Sequence, residues 1–353
     1  MSNQLFLNST TLLKNLIRIK SYSGEENITA DIIEKWFENN KIKSFRSKNN
    51  VWAKNKFFDN KKPTILLNSH HDTVKPNKSY TKDPFNPEVI DDKLYGLGSN
   101  DAGGALVSLI AAFKYFYNSS SLNYNIIMAA TAEEEIAGKN SLRLLLKELP
   151  KIDFAIIGEP TLMNLAIAEK GLIVFDGKIY GTASHAAHEN KNNAINKLPE
   201  IIKWFEKFKF EKVSDFLGPV KLTITQINAG SQHNVIPSEI EIVIDVRVNE
   251  LYSNKEVVKI LQKKAPCELT PRSTNLKSSS ISSDHKIVKA AIKLGKKTYG
   301  SPTLSDQAAL NCPSLKLGPG DSKRSHIADE FIYLDEIEAV SYTHLTLPTK
   351  RIV

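Results

Sequence analysis

The stretch Leu66-Leu67-Asn68-Ser69-His70-His71-Asp72-Thr73-Val74 decides how the rest of the chain is read. Ile65-Leu66-Leu67 has the length and content of a buried strand, and Pro63 and Pro76 bound it. An apolar strand that stops at two imidazoles and a carboxylate places them at its carboxyl end, where α/β sheets hold their ligands. A single histidine in such a place reads more readily as a satisfied core residue. The pattern, however, recurs. Tyr124 to Thr131 is a second apolar run and ends at Glu133-Glu134-Glu135; Phe154-Ala155-Ile156-Ile157-Gly158 ends at Glu159. Ser314 to Leu317 is a fourth, followed by Gly318-Pro319-Gly320 and then His326. Four strand ends carrying His or a carboxylate point to one shared site.

Composition narrows the class. With 353 residues, 41% hydrophobic and 24% charged, the chain suffices for two globular domains and is neither disordered nor fibrous. Its apolar runs fall short of the ~18–20 residues of a membrane span, and Met1-Ser2-Asn3-Gln4 has no basic signal-peptide start. Cys267 and Cys312 form no C-x-x-C pair and no disulfide framework, which suits a reducing compartment, so a cytoplasmic enzyme is expected. The net charge of +8 comes from lysines spread over Lys/Asn-rich surface stretches. No basic stripe interleaved with aromatics is present, so nucleic acid is not an expected partner.

In chain order, Thr10 to Lys20 predicts an amphipathic helix with Leu12, Leu13, Leu16 and Ile17 on one face. Ser23-Gly24-Glu25-Glu26 predicts a capping box opening a second helix, which carries Ile28, Ile32, Ile33, Trp36 and Phe37. A short strand follows at Val51 to Lys54. Gly96-Leu97-Gly98-Ser99-Asn100-Asp101-Ala102-Gly103-Gly104 lacks the third spaced glycine and the Lys-Ser/Thr of a phosphate loop. Its glycines instead bring backbone close around Asp101, at the mouth of a helix from Ala105 to Tyr117. Strand, helix (Asn140 to Leu149) and strand then form a crossover unit, which implies parallel neighbours. From Leu172 the order is β-α-β-β-α-β, with Ile240, Ile242, Ile244, Val246 and Val248 alternating most clearly. That is a ferredoxin-like motif, complete in itself and so read as an inserted domain. The expected fold is α/β: a mixed, largely parallel sheet flanked by helices over residues 1–171 and 273–340, interrupted by the insert at 172–272.

His70, Asp72, Asp101, Glu134, Glu135, Glu159 and His326 make a nitrogen-and-oxygen donor set suited to zinc, cobalt or manganese. With no cysteine, it is richer in carboxylate than structural zinc sites usually are, which favours catalysis, and the count suffices for two metals bridged by one carboxylate. Of the adjacent Glu134 and Glu135, one can bind metal while the other takes a proton from water. The plainer reading of the Glu133-Glu134-Glu135 run is a solvated acidic turn.

Taken with their order, these motifs make the chain resemble the M20 metallopeptidase family of amidohydrolases, a group that includes acetylornithine deacetylase, succinyl-diaminopimelate desuccinylase and aminoacylase. The similarity runs from the first helix to about Ala339. The resemblance implies a zinc-exopeptidase-like catalytic domain in which His70 and Glu159 hold one zinc, Glu135 and His326 a second, and Asp101 bridges them. It implies that Asp72 steadies His70 and that Glu134 is the general base. It further implies a homodimer through the insert, His185 of Ser184-His185-Ala186-Ala187-His188 steadying the oxyanion across the dimer, and Asn234 and Arg247 holding the substrate's carboxylate. For Arg247 the alternative is a cross-strand ion pair. One or two zinc ions per subunit are expected, with cobalt able to substitute.

Hydrolysis of N-acetyl-L-ornithine to ornithine and acetate, in arginine biosynthesis, is the expected activity. N-succinyl-ornithine or N-succinyl-diaminopimelate desuccinylation and aminoacyl dipeptidase activity are alternatives. A non-catalytic metal- or amino-acid-binding protein on the same scaffold is the rival from another class. An ornithine side chain calls for an acidic partner, for which Asp306 is the candidate. Ala102-Gly103-Gly104 departs from many family members, which have a lysine or similar residue after the bridging aspartate. Ser341 to Val353 breaks the final helical pattern and is expected to be foreign to the fold.

Overall fold

A computed structural model describes residues 3–339. The expectation for residues 341–353 therefore lies outside the described residues. The chain forms two compact units, one made of the residues up to Ile167 with Ile281–Tyr299 and those from Ser305 on, the other of Ala168–Ser280 with Gly300–Leu304.

Helices α1 (Asn3–Ile17) and α2 (Asn27–Asn39) open the first unit. Strands β1 (Ser44–Ser47), β2 (Asn50–Lys54) and β3 (Thr64–His70) follow, then α3 (Gly104–Phe116), β4 (Asn125–Thr131) and β5 (Phe154–Ile157). Strand β6 (Leu165–Glu169) leads out of this unit. The second unit carries β7 (Gly171–Tyr180), α4 (Ala194–Lys207), β8 (Lys221–Ala229), β9 (Glu239–Val248), α5 (Asn254–Lys264) and β10 (Glu268–Pro271). Back in the first unit come α6 (Lys286–Lys293) and β11 (Ser314–Lys316).

The large sheet runs β1-β2-β4-β3-β5-β11-β6. Its middle is parallel, β3 pairing with both β4 and β5 and β11 with β5, while β1, β2 and β6 join antiparallel. The mixed, largely parallel sheet is thus as expected, with one difference of detail: β4 and β5 are parallel but not neighbours, because β3 lies between them. Every residue of β3, β4 and β5 is buried, as befits central strands covered on both faces. Leu12, Leu13, Leu16 and Ile17 of α1 are buried against α3, whose residues from Gly104 to Phe113 are buried all round.

Local expectations fare unevenly. The helix expected over Asn140 to Leu149 is α-helical only over Leu142–Leu145. On α2, Ile33 and Phe37 are buried but Ile28 is half exposed. The Ser23/Glu26 capping box does not form, because buried groups claim both side chains. Ser23 Oγ donates to Asp72 Oδ2 at 2.7 Å; Glu26 turns inward, accepting from Asn49 Nδ2 at 2.8 Å and from the Glu133 N–H at 3.2 Å.

In the second unit the sheet order is β8-β9-β7-β10, all antiparallel, with both helices following the β-α-β-β-α-β sequence. Ile240, Ile242, Ile244, Val246 and Val248 face its core, as their alternation requires. The capping box that does form is here: Ser253 and Glu256 exchange bonds at the start of α5.

Phe113 is fully buried and meets Phe37 edge-to-face at a centroid distance of 6.2 Å. Replacing it with alanine is expected to cost about 3–5 kcal/mol, read from the chemical denaturation midpoint of the first unit. A loss under about 1 kcal/mol would mean that the ring fills no close-packed site.

Candidate active site

The sheet brings the candidate residues of the first unit together. His70 ends β3, Glu133-Glu134-Glu135 lie just past β4, Glu159 just past β5, and His326 follows β11 after a loop. Parallel strands deliver their carboxyl ends to the same edge, so three of these arrivals follow from topology alone. Asp101 comes from the turn Ser99–Gly103 that opens α3. That turn needs its glycine: Gly98 has φ +75°, and a Cβ there would lie 2.6 Å from Thr73 Cγ2.

Asp101 stands between the two imidazoles. Its Oδ1 is 3.3 Å from His70 Nε2 and its Oδ2 3.6 Å from His326 Nε2. His326 Nε2 is also 3.1 Å from both carboxylate oxygens of Glu135. Two triads result, His70-Asp101-Glu159 and Asp101-Glu135-His326, each with donor atoms within 4.8 Å of one another and sharing Asp101. His70 Nδ1 lies 3.0 Å from the Asp72 carbonyl, which can only accept, so Nδ1 carries the proton. Nε2 then turns toward Asp101 as the group that a metal would use.

Asp72 sits behind this arrangement, 1% exposed. Its carboxylate accepts from Ser23 and from the backbone N–H groups of Glu134 and Glu135, both at 3.1 Å, and lies 3.4 Å from His70 Nδ1. One carboxylate therefore orients a β3 imidazole and the glutamate turn together.

The three consecutive glutamates separate. Glu133 has φ +54° and turns its carboxylate back onto Asn140, accepting from that residue's backbone N–H at 3.0 Å and its Nδ2 at 2.6 Å. Gly138 makes room, since a Cβ there would lie 2.1 Å from Glu133 Oε2. Glu135 joins the second triad. Glu134 belongs to neither, and burial holds its carboxyl well above the ordinary range; Glu159, Asp306 and Glu135 add to that while His70 opposes it. The reading of this run as a solvated turn is not met.

Burial and Asp101 push Glu159 up to about 8, and hydrogen bonding to Glu135 pushes His326 up to about 9. Burial opposes protonation of His70, but Asp101 and Asp72 outweigh it and raise its pKa. Half-buried carboxylates that lean toward neutrality beside imidazoles that lean toward charge form a set short of positive charge. Divalent cations fit it, with oxygen and nitrogen donors in the right mixture.

Two sequence readings change in meaning. His71 is a core histidine, its ring nitrogens 2.9 Å from Thr29 Oγ1 and 2.9 Å from the Asn49 carbonyl. Asp306 is 7% exposed, its Oδ2 accepting from Asn68 at 2.9 Å and Thr131 at 2.8 Å, so it sits among the carboxylates around Glu134. The sequence reading passed over Glu330, described below, because no apolar run delivers it.

In the second unit, His185 and Asn234 come together: His185 pairs with Val235, and the Asn234 carbonyl accepts the Ala186 N–H at 2.9 Å. Arg247 stands near the far end of β9, forked onto Asp245 at 2.9 and 3.1 Å. That is an ion pair within one strand rather than across strands.

Known proteins resemble the chain in sequence and in fold. Residues 66–349 match the model of peptidase family M20/M25/M40. The chain belongs to this family. It is an M20 metallo-hydrolase acting on amide bonds. A succinyl-diaminopimelate desuccinylase of Wigglesworthia glossinidia brevipalpis is 33% identical over 279 residues, covering 72% of this chain and 71% of that protein. One of Orientia tsutsugamushi (strain Ikeda) is 29% identical over 273 residues, 71% of this chain and 70% of that one. Among solved structures, a tripeptidase from Staphylococcus aureus superposes with a TM-score of 0.76 at 20% identity, covering 97% of each chain. A dinuclear metal-binding M20 peptidase from Bacillus subtilis gives 0.73 at 16% identity over 98% of each. Membership of a family of metallo-hydrolases leaves the non-catalytic alternative without support.

Because Asp72 holds both His70 and the glutamate turn, Asp72→Ala is expected to weaken metal binding about 10–100-fold. Competition against a chromogenic chelator measures this, and unchanged affinity would detach Asp72 from the site.

Proposed function

We propose that this M20 enzyme hydrolyses the amide bond of an N-acyl amino acid, with an N-succinyl amino acid ahead of N-acetyl-L-ornithine as substrate. The single observation that carries hydrolysis is Asp101 standing between His70 and His326, with Glu134 half-buried near both triads and belonging to neither. The succinyl preference draws support from the desuccinylase names of the curated relatives and from the net charge of +8, which favours capture of an anionic substrate over a zwitterion. N-acetyl-L-ornithine remains the second reading on the strength of the Gly98-Ser99-Asn100-Asp101-Ala102-Gly103-Gly104 variant.

His70, Asp101 and Glu159 would hold one zinc ion and Asp101, Glu135 and His326 another, with cobalt a workable substitute. Bound there, the ions supply Lewis-acid polarisation of the amide carbonyl and lower the pKa of water. The chain's own residues do the rest. Glu134 takes a proton from the attacking water as its oxygen bonds to the carbonyl carbon. Glu134 then delivers that proton to the amine nitrogen as the C–N bond breaks. Its burial raises its proton affinity, which suits a base that must also act as an acid. Asp72 keeps His70 in one tautomer and orientation throughout.

His185 serves the developing oxyanion, and Asn234 and Arg247 hold the substrate's carboxylate. His185 and Asn234 lie beside the start of β9, and eight residues at ~3.3 Å each put Arg247 roughly 26 Å along it. One copy cannot close all three on one small molecule, which supports a homodimer whose sites draw on both subunits. A cytoplasmic location belongs to the same reading and draws on the two free cysteines; among the described residues no helix is long and apolar enough to cross a membrane.

Glu134→Gln is expected to lower turnover by about 10²–10⁴-fold while metal content stays normal, measured by activity and elemental analysis on one sample. Retained turnover would remove the mechanism. For the dimer, co-expressed His185→Ala and Glu134→Gln chains should regain activity that neither has alone, since one mixed site holds both intact residues. No recovery would place His185 in its own subunit's site or outside catalysis. A panel of N-succinyl- and N-acetyl-ornithine and N-succinyl-diaminopimelate, compared by kcat/KM with zinc added, decides the acyl group.

A further inference from the structure

Glu330 and Asn100 have no place in the scheme above, yet each ties one metal-binding segment to the other. Glu330 is 1% exposed and spends its carboxylate on main-chain donors of the loop that carries Asp101. Oε1 accepts from the N–H groups of Asn100 and Asp101, both at 2.9 Å, and Oε2 from that of Gly98 at 3.1 Å. Glu330 itself lies four residues past His326. The reverse tie starts from Asn100, fully buried, next to Asp101. Its Oδ1 accepts the Asp321 N–H at 3.0 Å, and its Nδ2 donates to the Asp321 carbonyl at 3.1 Å and to Ser325 Oγ at 3.3 Å. Ser325, which precedes His326, hydrogen-bonds the Asp101 carboxylate in turn.

The turn that carries His326 therefore receives a side chain from the Asp101 loop and returns one to it. His326 has φ +61°, a backbone state that few residues other than glycine adopt without support from their surroundings. Between the two ties, the loop holding Asp101 and the turn holding His326 are fixed to each other by residues outside both donor triads.

We propose that Asn100 and Glu330 are positioning residues that set the spacing between Asp101 and His326, and with it the affinity of the triad Asp101-Glu135-His326 for its cation. The inference rests on the two-metal reading of the site. The Asn100 side chain reaches the segment before His326, at Asp321 and Ser325, so its loss falls mainly on one triad; Glu330 acts on the Asp101 backbone and steadies the ligand that both triads share. Loosening either lets the 3.6 Å separation of Asp101 Oδ2 and His326 Nε2 drift.

The test is zinc binding by the full-length protein, titrated against a competing chelator, with thermal unfolding of the metal-free form as the control for folding. The wild type should take up two equivalents. Asn100→Ala should keep the first at wild-type affinity and weaken the second at least tenfold, with the metal-free melting point little changed. Glu330→Gln retains an oxygen for the Asn100 and Asp101 donors but turns an amide N–H toward that of Gly98, and should weaken the second equivalent at least as much. Two equivalents bound at wild-type affinity by both variants would overturn the proposal, as would equal weakening of both equivalents in Asn100→Ala. Failure of the wild type to bind a second equivalent at all would instead strike the two-metal reading.

Discussion

The interaction on which the molecule turns is the position of one carboxylate between two imidazoles. Asp101 reaches His70 with one oxygen and His326 with the other, and those three residues come from segments that are far apart in sequence. Burying several acids together is costly unless a counter-charge is present. The upward push on Glu134 and Glu159 is the measure of that cost here. The rest of the first unit can be read as the scaffold that makes such crowding tolerable. A sheet covered on both faces supplies strand ends that cannot move, and Asp72 and Glu26, each deeply buried, anchor the glutamate turn by its backbone N–H groups.

Much of this was legible in the chain. Apolar runs that stop at His or Glu are visible because a central parallel strand is apolar throughout and its end is where the polarity changes. That signal located His70, Glu134, Glu135 and Glu159, and the alternation of Ile240 to Val248 disclosed the second unit's sheet. What stayed hidden has a common cause: it depends on contacts between distant segments. Ser23 and Glu26 satisfy a local capping pattern in sequence, but Asp72, 49 residues on from Ser23, and Glu133 claim them. Glu330 follows no apolar run, so nothing local marks it. The cis peptide between Asp101 and Ala102 likewise has no mark in the residues around it.

The short helix at Leu142–Leu145 shows the limit from the other side. Leu144, Leu145, Leu146 and Leu149 have the content of a longer helix, yet Leu142 and Leu145 bury their side chains against Ile127, Ala155 and Leu310 without needing further turns. Tertiary packing overrode propensity there. Similarly, the glutamate run carries three identical side chains with three different surroundings. Only the fold separates them: one is folded back on Asn140, one lies half-buried near the triads, and one faces His326.

Strand β11 fills a slot in the interior of the large sheet, between β5 and β6, although it follows the whole second unit in the chain. As the polypeptide leaves the ribosome, β5 and β6 must wait with bare hydrogen-bonding edges while more than a hundred residues are added. The second unit's sheet and its two helices lie in one run, from the start of β7 to the end of β10, and can form during that interval. Vectorial synthesis therefore leaves the nascent first half exposed to sticky edge pairing until residue 316 emerges. The triad Asp101-Glu135-His326 is incomplete for the same interval, since His326 arrives later still.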